Sequence, residues 1–146
     1  MQSAAFDVMT SNPTTIPQDS TLQNAIDLIL KTGVSGLPVV DKDQHLVGII
    51  SEFALLAIAY DQNVLEDEVA EHMTRHVLTV EASDPLRKVA DLFILHRIRR
   101  LPVLSDDKIV GIISRRDILR TARSAGCALS SISPFSTRAE AQDVAL

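Results

Sequence analysis

Short apolar runs broken by turn residues alternate along this chain with longer stretches whose apolar positions recur every three or four residues. Leu37-Pro38-Val39-Val40 and Leu46 to Ile50, parted by Lys42-Asp43-Gln44-His45, form the pattern of a hairpin. Arg99-Arg100-Leu101-Pro102-Val103-Leu104 and Ile109 to Ile113, parted by Asp106-Asp107-Lys108, predict a second. Helical spacing appears at Leu22, Ala25, Ile26, Ile29 and Leu30, with Ser20 and Gln23 set as a capping box and Gly33 as a stop. It returns at Leu86, Val89, Ala90, Phe93 and Ile94, where Asp84 is placed to cap and Pro85 suits the first helical position. Ser51 predicts the cap of a helix running to about Tyr60, and Ser114 that of a helix from Arg115 to about Ser124, stopped by Gly126. Short strands are expected at Thr14-Thr15-Ile16 and from Val77 to Val80, with a short helix from Glu66 to Met73. Residues 1–6 read as a loose start.

The pattern occurs twice. Leu37-Pro38-Val39 matches Leu101-Pro102-Val103 at an offset of 64, as Met9-Thr10 matches Met73-Thr74. Val47-Gly48-Ile49-Ile50-Ser51 matches Val110-Gly111-Ile112-Ile113-Ser114 at 63, one residue having been lost in the turn. Self-similarity at such a period marks a repeat architecture. The expected fold class is α+β: two β-α-β-β-α units, over residues 7–60 and 71–124, followed by a mobile tail over 125–146 with a short helix near Arg138 to Val144. One unit alone has too little core, so the two are expected to pack with pseudo-two-fold symmetry and to leave clefts between them.

Charge changes the picture more than composition does. Net charge is −5, but residues 1–73 sum to −9 and residues 74–146 to +4. The second copy is therefore the better seat for an anion. Aromatic residues make up 3%, which argues against a stacking platform for single-stranded nucleic acid, and the negative balance argues against a nucleic-acid partner generally. Cys127 is the one cysteine, so an intrachain disulfide and a multi-cysteine metal site are excluded. No apolar run reaches the ~20 residues of a membrane span, and the start lacks the pattern of a signal peptide, so the expectation is a cytoplasmic protein with no membrane partner.

The candidate chemistry gathers where Ser114, Arg115, Arg116 and Asp117 open a helix close to Arg99 and Arg100. A hydroxyl, a carboxylate and guanidinium groups at a helix N-terminus suit an anionic ligand that also carries hydroxyls. The plainer readings are that Asp117 is a first-turn acid favoured by the helix dipole and that Ser51 and Ser114 are only caps; Arg115, Arg116, Arg120 and Arg123 read as a solvated helix face with one or two members near the ligand. His72 and His76 stand four apart without a partner carboxylate at metalloprotease spacing, and Cys127 lacks a histidine pattern, so neither a metal site nor catalysis is expected. Met9 and Met73 read as packing residues.

The repeat and its ordered motifs resemble a tandem pair of CBS domains, the module named after cystathionine beta-synthase and also called a Bateman module, here stand-alone. Met9-Thr10 and Met73-Thr74, the two Leu-Pro-Val strands, and Gly48-Ile49-Ile50-Ser51 with Gly111-Ile112-Ile113-Ser114 carry the resemblance. It implies a regulatory binding module rather than an enzyme. No cofactor is required; the ligand is an adenosine derivative (AMP, ADP or ATP foremost, with S-adenosylmethionine and NAD-type molecules in the same class). It also implies a flat homodimer formed through the terminal helices, and a regulated protein whose identity is open. The alternative is a constitutive dimerisation or docking module with no nucleotide response.

Carried onto this sequence, the resemblance makes Asp117 the ribose ligand, with Ser114 near the sugar or phosphate. Arg99 and Arg100 reach the phosphates, and Arg116 completes that side. Backbone groups around Thr79 and Val80 meet the adenine edge, with Leu101 and Pro102 as apolar walls. The first copy departs: Ala54 stands where Asp117 would be, and Ser35 and Gly36 stand for Arg99 and Arg100. One competent site per chain is expected, with the first copy as scaffold.

Overall fold

A computed structural model describes residues 3–125; the sequence-based expectations for Gly126, Cys127 and the rest of the tail lie outside them. The elements in chain order are α1 (Ala5–Val8), β1 (Thr10–Ser11), β2 (Ile16–Pro17), α2 (Leu22–Thr32), β3 (Gly36–Val40), β4 (Leu46–Ser51), α3 (Glu52–Ile58), a 3₁₀ turn (Val69–Glu71), β5 (Val80–Glu81), α4 (Leu86–His96), β6 (Arg100–Ser105), β7 (Lys108–Ser114) and α5 (Arg115–Ala125). The fold is α+β, built on two β-α-β-β-α repeats.

The chain divides into two compact units. Among the described residues, one holds Pro13–Leu78 with the turn segment Asp106–Ile109; the other gathers residues 3–12, Thr79–Ser105 and residues 110–125. The first has a three-stranded sheet in the order β2-β3-β4, the second a four-stranded sheet in the order β1-β7-β6-β5.

In the Pro13–Leu78 unit, β2 runs parallel to β3 and β3 antiparallel to β4, with Gly36 opposite Ser51 and Leu37 opposite Ile50. Leu22, Ala25, Leu37, Val39, Ile50 and Val69 fill the core. Helix α2 ends at Gly33, whose φ of 75° lets its N–H reach the Ile29 carbonyl. Its cap is Thr21 rather than Ser20: Thr21 Oγ accepts the Asn24 N–H at 3.1 Å. Leu22 is fully buried and its N–H donates to the Asp67 carbonyl, so burial sets the first helical residue and leaves Thr21 before it. Leu30 is 78% exposed and does not join the buried face. The expected helix from Glu66 to Met73 is reduced to its 3₁₀ turn.

In the other unit, β5 runs parallel to β6, Val80 opposite Val103, and Val80, Val89, Phe93, Leu101, Val103 and Ile113 fill the core. The β6–β7 turn is two residues long, Asp106 and Asp107, with φ of 52° and 65°. Two successive left-handed residues make the twist a tight hairpin needs, and aspartate tolerates that region better than most residues. Arg97, with φ of 52°, ends α4 where the other repeat has Gly33. The expected Asp84 cap is replaced by Pro85 as the N-cap; the Asp84 carboxylate instead accepts the Glu81 N–H at 2.8 Å, closing the turn after β5. The strand expected from Val77 begins only at Val80, the residue that faces β6.

The described part of the chain start, from residue 3, is not loose. Ala5 is fully buried in the core of this unit, its N–H donates to the Asp84 carbonyl, and the Phe6 N–H donates to the Ala82 carbonyl. Thr10 and Ser11 then pair antiparallel with Ile112 and Gly111. Thr74 likewise exchanges backbone hydrogen bonds with Ile49 of β4. The Met-Thr pair that opens each sequence repeat thus closes the sheet containing the hairpin of the other repeat. Two glycines permit it. A Cβ on Gly48 would lie 2.6 Å from the Met73 sulfur and 2.8 Å from the Thr74 carbonyl, and one on Gly111 would lie 2.9 Å from the Thr10 carbonyl. No side chain fits under either crossing.

Candidate functional site

Where β7 hands over to α5, two residues satisfy each other. Ser114 Oγ accepts the Asp117 N–H at 3.2 Å, and Asp117 Oδ2 accepts the Ser114 N–H at 2.8 Å. Both N–H groups belong to a helix start, where the backbone has no internal partner, and such a reciprocal box supplies one. The second carboxylate oxygen, Oδ1, accepts from Arg120 at 2.6 Å. The Asp117 side chain is 12% exposed and that of Arg120 71%, so a mostly covered carboxylate carries a guanidinium on its solvent side. A pair that open to water is worth at most ~1 kcal/mol. An ionised carboxylate offers about four acceptor positions, so about two remain after these bonds.

The arginines stand at the same end of the hairpin. The Arg115 N–H donates to the Arg99 carbonyl at 3.3 Å, tying the residue before β6 to the first residue of α5. Arg99, Arg100, Arg115, Arg116, Arg120 and Arg123 are all exposed. Their summed charge beside a helix N-terminus makes this end of the unit attractive to anions.

Of the residues singled out in the sequence, Ser114, Arg116 and Asp117 share one helix turn, and Arg99 and Arg100 adjoin it through the Arg99–Arg115 bond. Thr79, Val80, Leu101 and Pro102 lie on the β5 and β6 side of the same sheet. Val80 is 2% exposed and Leu101 fully buried, both within the apolar core, so their side chains serve packing and only their backbone groups face other uses. Thr79 is half-buried, and β5 is an edge strand.

The sequence places Arg120 on a solvated face with one or two of its arginines near the ligand, and does not single out its direct bond to Asp117. The signal was there in the spacing, since residues three apart on a helix are neighbours. It also missed the turn Asp41, Asp43 and His45, whose possible ligand atoms lie within 4.8 Å of one another. There Asp41 Oδ1 accepts the N–H groups of both His45 and Asp43 at 2.9 Å. The His45 N–H foremost, helped by the Asp43 N–H, holds the Asp41 carboxyl below its ordinary value, against an opposing effect of burial that ranks next after the His45 N–H. The His72 ring nitrogen Nε2 lies 2.8 Å from Asp67 Oδ2, and His76 is exposed.

The matching junction of the first repeat is built alike and equipped differently. The Glu52 N–H donates to the Ser35 carbonyl at 2.9 Å, and Ser51 Oγ accepts the Ala54 N–H at 3.1 Å. Ala54 returns nothing. Phe53 replaces Arg116, and with Leu56 and Tyr60 it forms an apolar stripe, 79%, 59% and 90% exposed respectively.

The CBS domain model matches residues 5–61 and 68–124, so this chain belongs to the CBS-domain family and carries two such domains. A crystal structure of CBSX2 in complex with AMP is similar over 85% of this chain and 98% of that one, at 30% identity and a TM-score of 0.76. The CBS domain pair of protein MJ0100, solved with 5′-methylthioadenosine and S-adenosyl-L-methionine, is similar over 86% of this chain and 99% of that one, at 28% identity and a TM-score of 0.72. Inosine-5′-monophosphate dehydrogenase of Nitrosopumilus maritimus is 36% identical over 112 residues, 76% of this chain and 22% of that enzyme. The chain spans less than a quarter of the length of such dehydrogenases. Related CBS pairs thus bind adenosine-containing molecules, and related domains form a minor part of larger enzymes. Among the described residues, no helix is long and apolar enough to cross a membrane.

Proposed function

We propose that this chain is a regulatory module that binds an adenosine-containing ligand, AMP, ADP or ATP before S-adenosylmethionine or NAD, at the β7–α5 junction, and signals its presence to a partner protein. The carrying observation is the Asp117 carboxylate: anchored to the Ser114 N–H, mostly covered, and still holding acceptor capacity for two ribose hydroxyls. Arg99, Arg100 and Arg116 supply charge for phosphate, Ser114 lies at the sugar side, and backbone groups of Thr79, Val80, Leu101 and Pro102 border the base, the Leu101 side chain being buried in the core. The first repeat, with Ala54, Ser35 and Gly36, acts as scaffold. The module performs no chemistry on its ligand and needs no cofactor. Binding shifts the population of its conformations, as a ligand with unequal affinity for two states must.

Titration calorimetry with AMP, ADP, ATP, S-adenosylmethionine and NAD, beside Asp117→Ala, tests this. One adenosine ligand near one per chain, lost in a variant that still melts cooperatively, supports the reading. Absence of binding to nucleotide-free protein overturns it. A second reading, a constitutive docking or homodimerisation module, is favoured by the exposed Phe53 and Leu56 on α3 and Tyr60 in the turn that follows it. It predicts association that ignores nucleotide.

A further inference from the structure

We infer that Arg120 is a latch on the ribose-holding carboxylate and that it biases the site towards phosphorylated adenosines over the free nucleoside. The inference rests on the nucleotide-binding reading above and deepens it. Asp117 Oδ2 is committed to the backbone of Ser114, and Oδ1 is held from the solvent side by Arg120 at 2.6 Å. The acceptor positions left on the two oxygens are reached from that side, so a vicinal diol using them meets the exposed guanidinium and must move it aside. Arg120 is 71% exposed on a long side chain, so it can swing aside without moving α5.

What it swings towards decides the selectivity. A neutral nucleoside breaks the ion pair and offers the guanidinium nothing in return. A nucleotide breaks the same pair and presents a phosphate, which an arginine fork binds well. Removing the latch should therefore help the nucleoside and hinder the nucleotide. Salt separates the two as well. Screening weakens the pair that adenosine must break but also weakens the attraction of phosphate to arginine, as the Debye length falls from ~10 Å at 0.1 M to ~3 Å at 1 M. Rising salt should tighten adenosine and loosen AMP.

The test is titration of AMP and adenosine into wild type, Arg120→Gln and Arg120→Lys, each at low and high salt. Arg120→Gln should bind adenosine about three- to fivefold tighter, the scale of an exposed ion pair, and AMP a few-fold weaker, so the preference for AMP falls ~tenfold. Its adenosine affinity should lose its salt dependence, and Arg120→Lys should restore part of both effects. If wild type binds AMP and Arg120→Gln keeps the same AMP-to-adenosine ratio and salt response, the latch is wrong and the site stands. If wild type binds neither compound, the site and the latch fall together.

Discussion

Two strand-to-helix junctions, Ser51 to Ala54 and Ser114 to Asp117, share one backbone design. In each, a serine hydroxyl caps the helix at its third residue, and the first helical N–H donates to the carbonyl of the residue just before the first strand of the hairpin, Ser35 before β3 and Arg99 before β6. They differ in what returns the favour. Asp117 sends a carboxylate back to the Ser114 N–H and carries Arg120 on its other oxygen; Ala54 sends nothing. Around the first junction the chain is acidic or apolar, around the second it is rich in arginine. The cap is needed for the fold and is kept in both repeats. The carboxylate and the arginines exceed what the fold needs, since the first repeat builds the same junction without them. That surplus is the argument for a ligand.

The comparison can be broken at three levels beyond the ligand titrations. The largest effect concerns what the repeats share. Leu37 and Leu101 are both fully buried at matching positions of β3 and β6. Leu37→Ala and Leu101→Ala should each cost ~2–5 kcal/mol in denaturant melts, because buried leucine truncation loses transfer energy and leaves a cavity. A far smaller cost for Leu101→Ala would mean that its side chain is not core and lines a ligand surface instead.

The next effect separates the junctions. Ser51→Ala removes a one-way cap and should cost ~1 kcal/mol. Ser114→Ala should cost about the same or less, because Asp117 still accepts the residue-114 N–H and holds part of the box. Chemical denaturation of the two variants compares them, and a markedly larger loss at Ser114 would show that the hydroxyl supports more than the helix start.

The smallest effect lies in the turns. Asp41 has Ser105 as its counterpart, and its carboxyl is held below the ordinary value of 3.8, first by the His45 N–H. A carboxyl that binds its proton less tightly when folded adds stability above its unfolded pKa, and that stability is lost as pH falls through the folded value. Asp41→Asn should therefore melt slightly below wild type at neutral pH, with the gap closing in acid below 3.8. A gap that is constant with pH would mean that the charge has no part in the turn.

Much of this was legible in the residues because it is local. Both hairpins, the Gly33 stop, the Ser51 and Ser114 caps and the Arg115 helix follow from runs of a few residues, and the structure places them within one or two positions. Thr21 displaced Ser20 as a cap because Leu22 had to be buried, a demand set by Asp67 and the core rather than by neighbouring hydroxyls. Asp84 turned from helix cap to strand turn for a similar reason: the Glu81 N–H competes for its carboxylate. The order of residues 4–6 is not legible locally, because Ala5 is buried in a core shared with α4 and tied to the Asp84 turn, some eighty residues away in sequence.

The sequence by itself determined the doubled unit, the order of its elements, and the chemical difference between Ala54 and Asp117, because repetition and residue identity are written one position at a time. Tertiary structure decided that Met9-Thr10 and Met73-Thr74 each cross a glycine in the sheet holding the other repeat's hairpin. It decided that Leu101 spends its side chain in the core and that one oxygen of Asp117 is already held by Arg120. These are matters of which groups meet in space, and burial and hydrogen-bond competition settle them only once distant segments have been brought together.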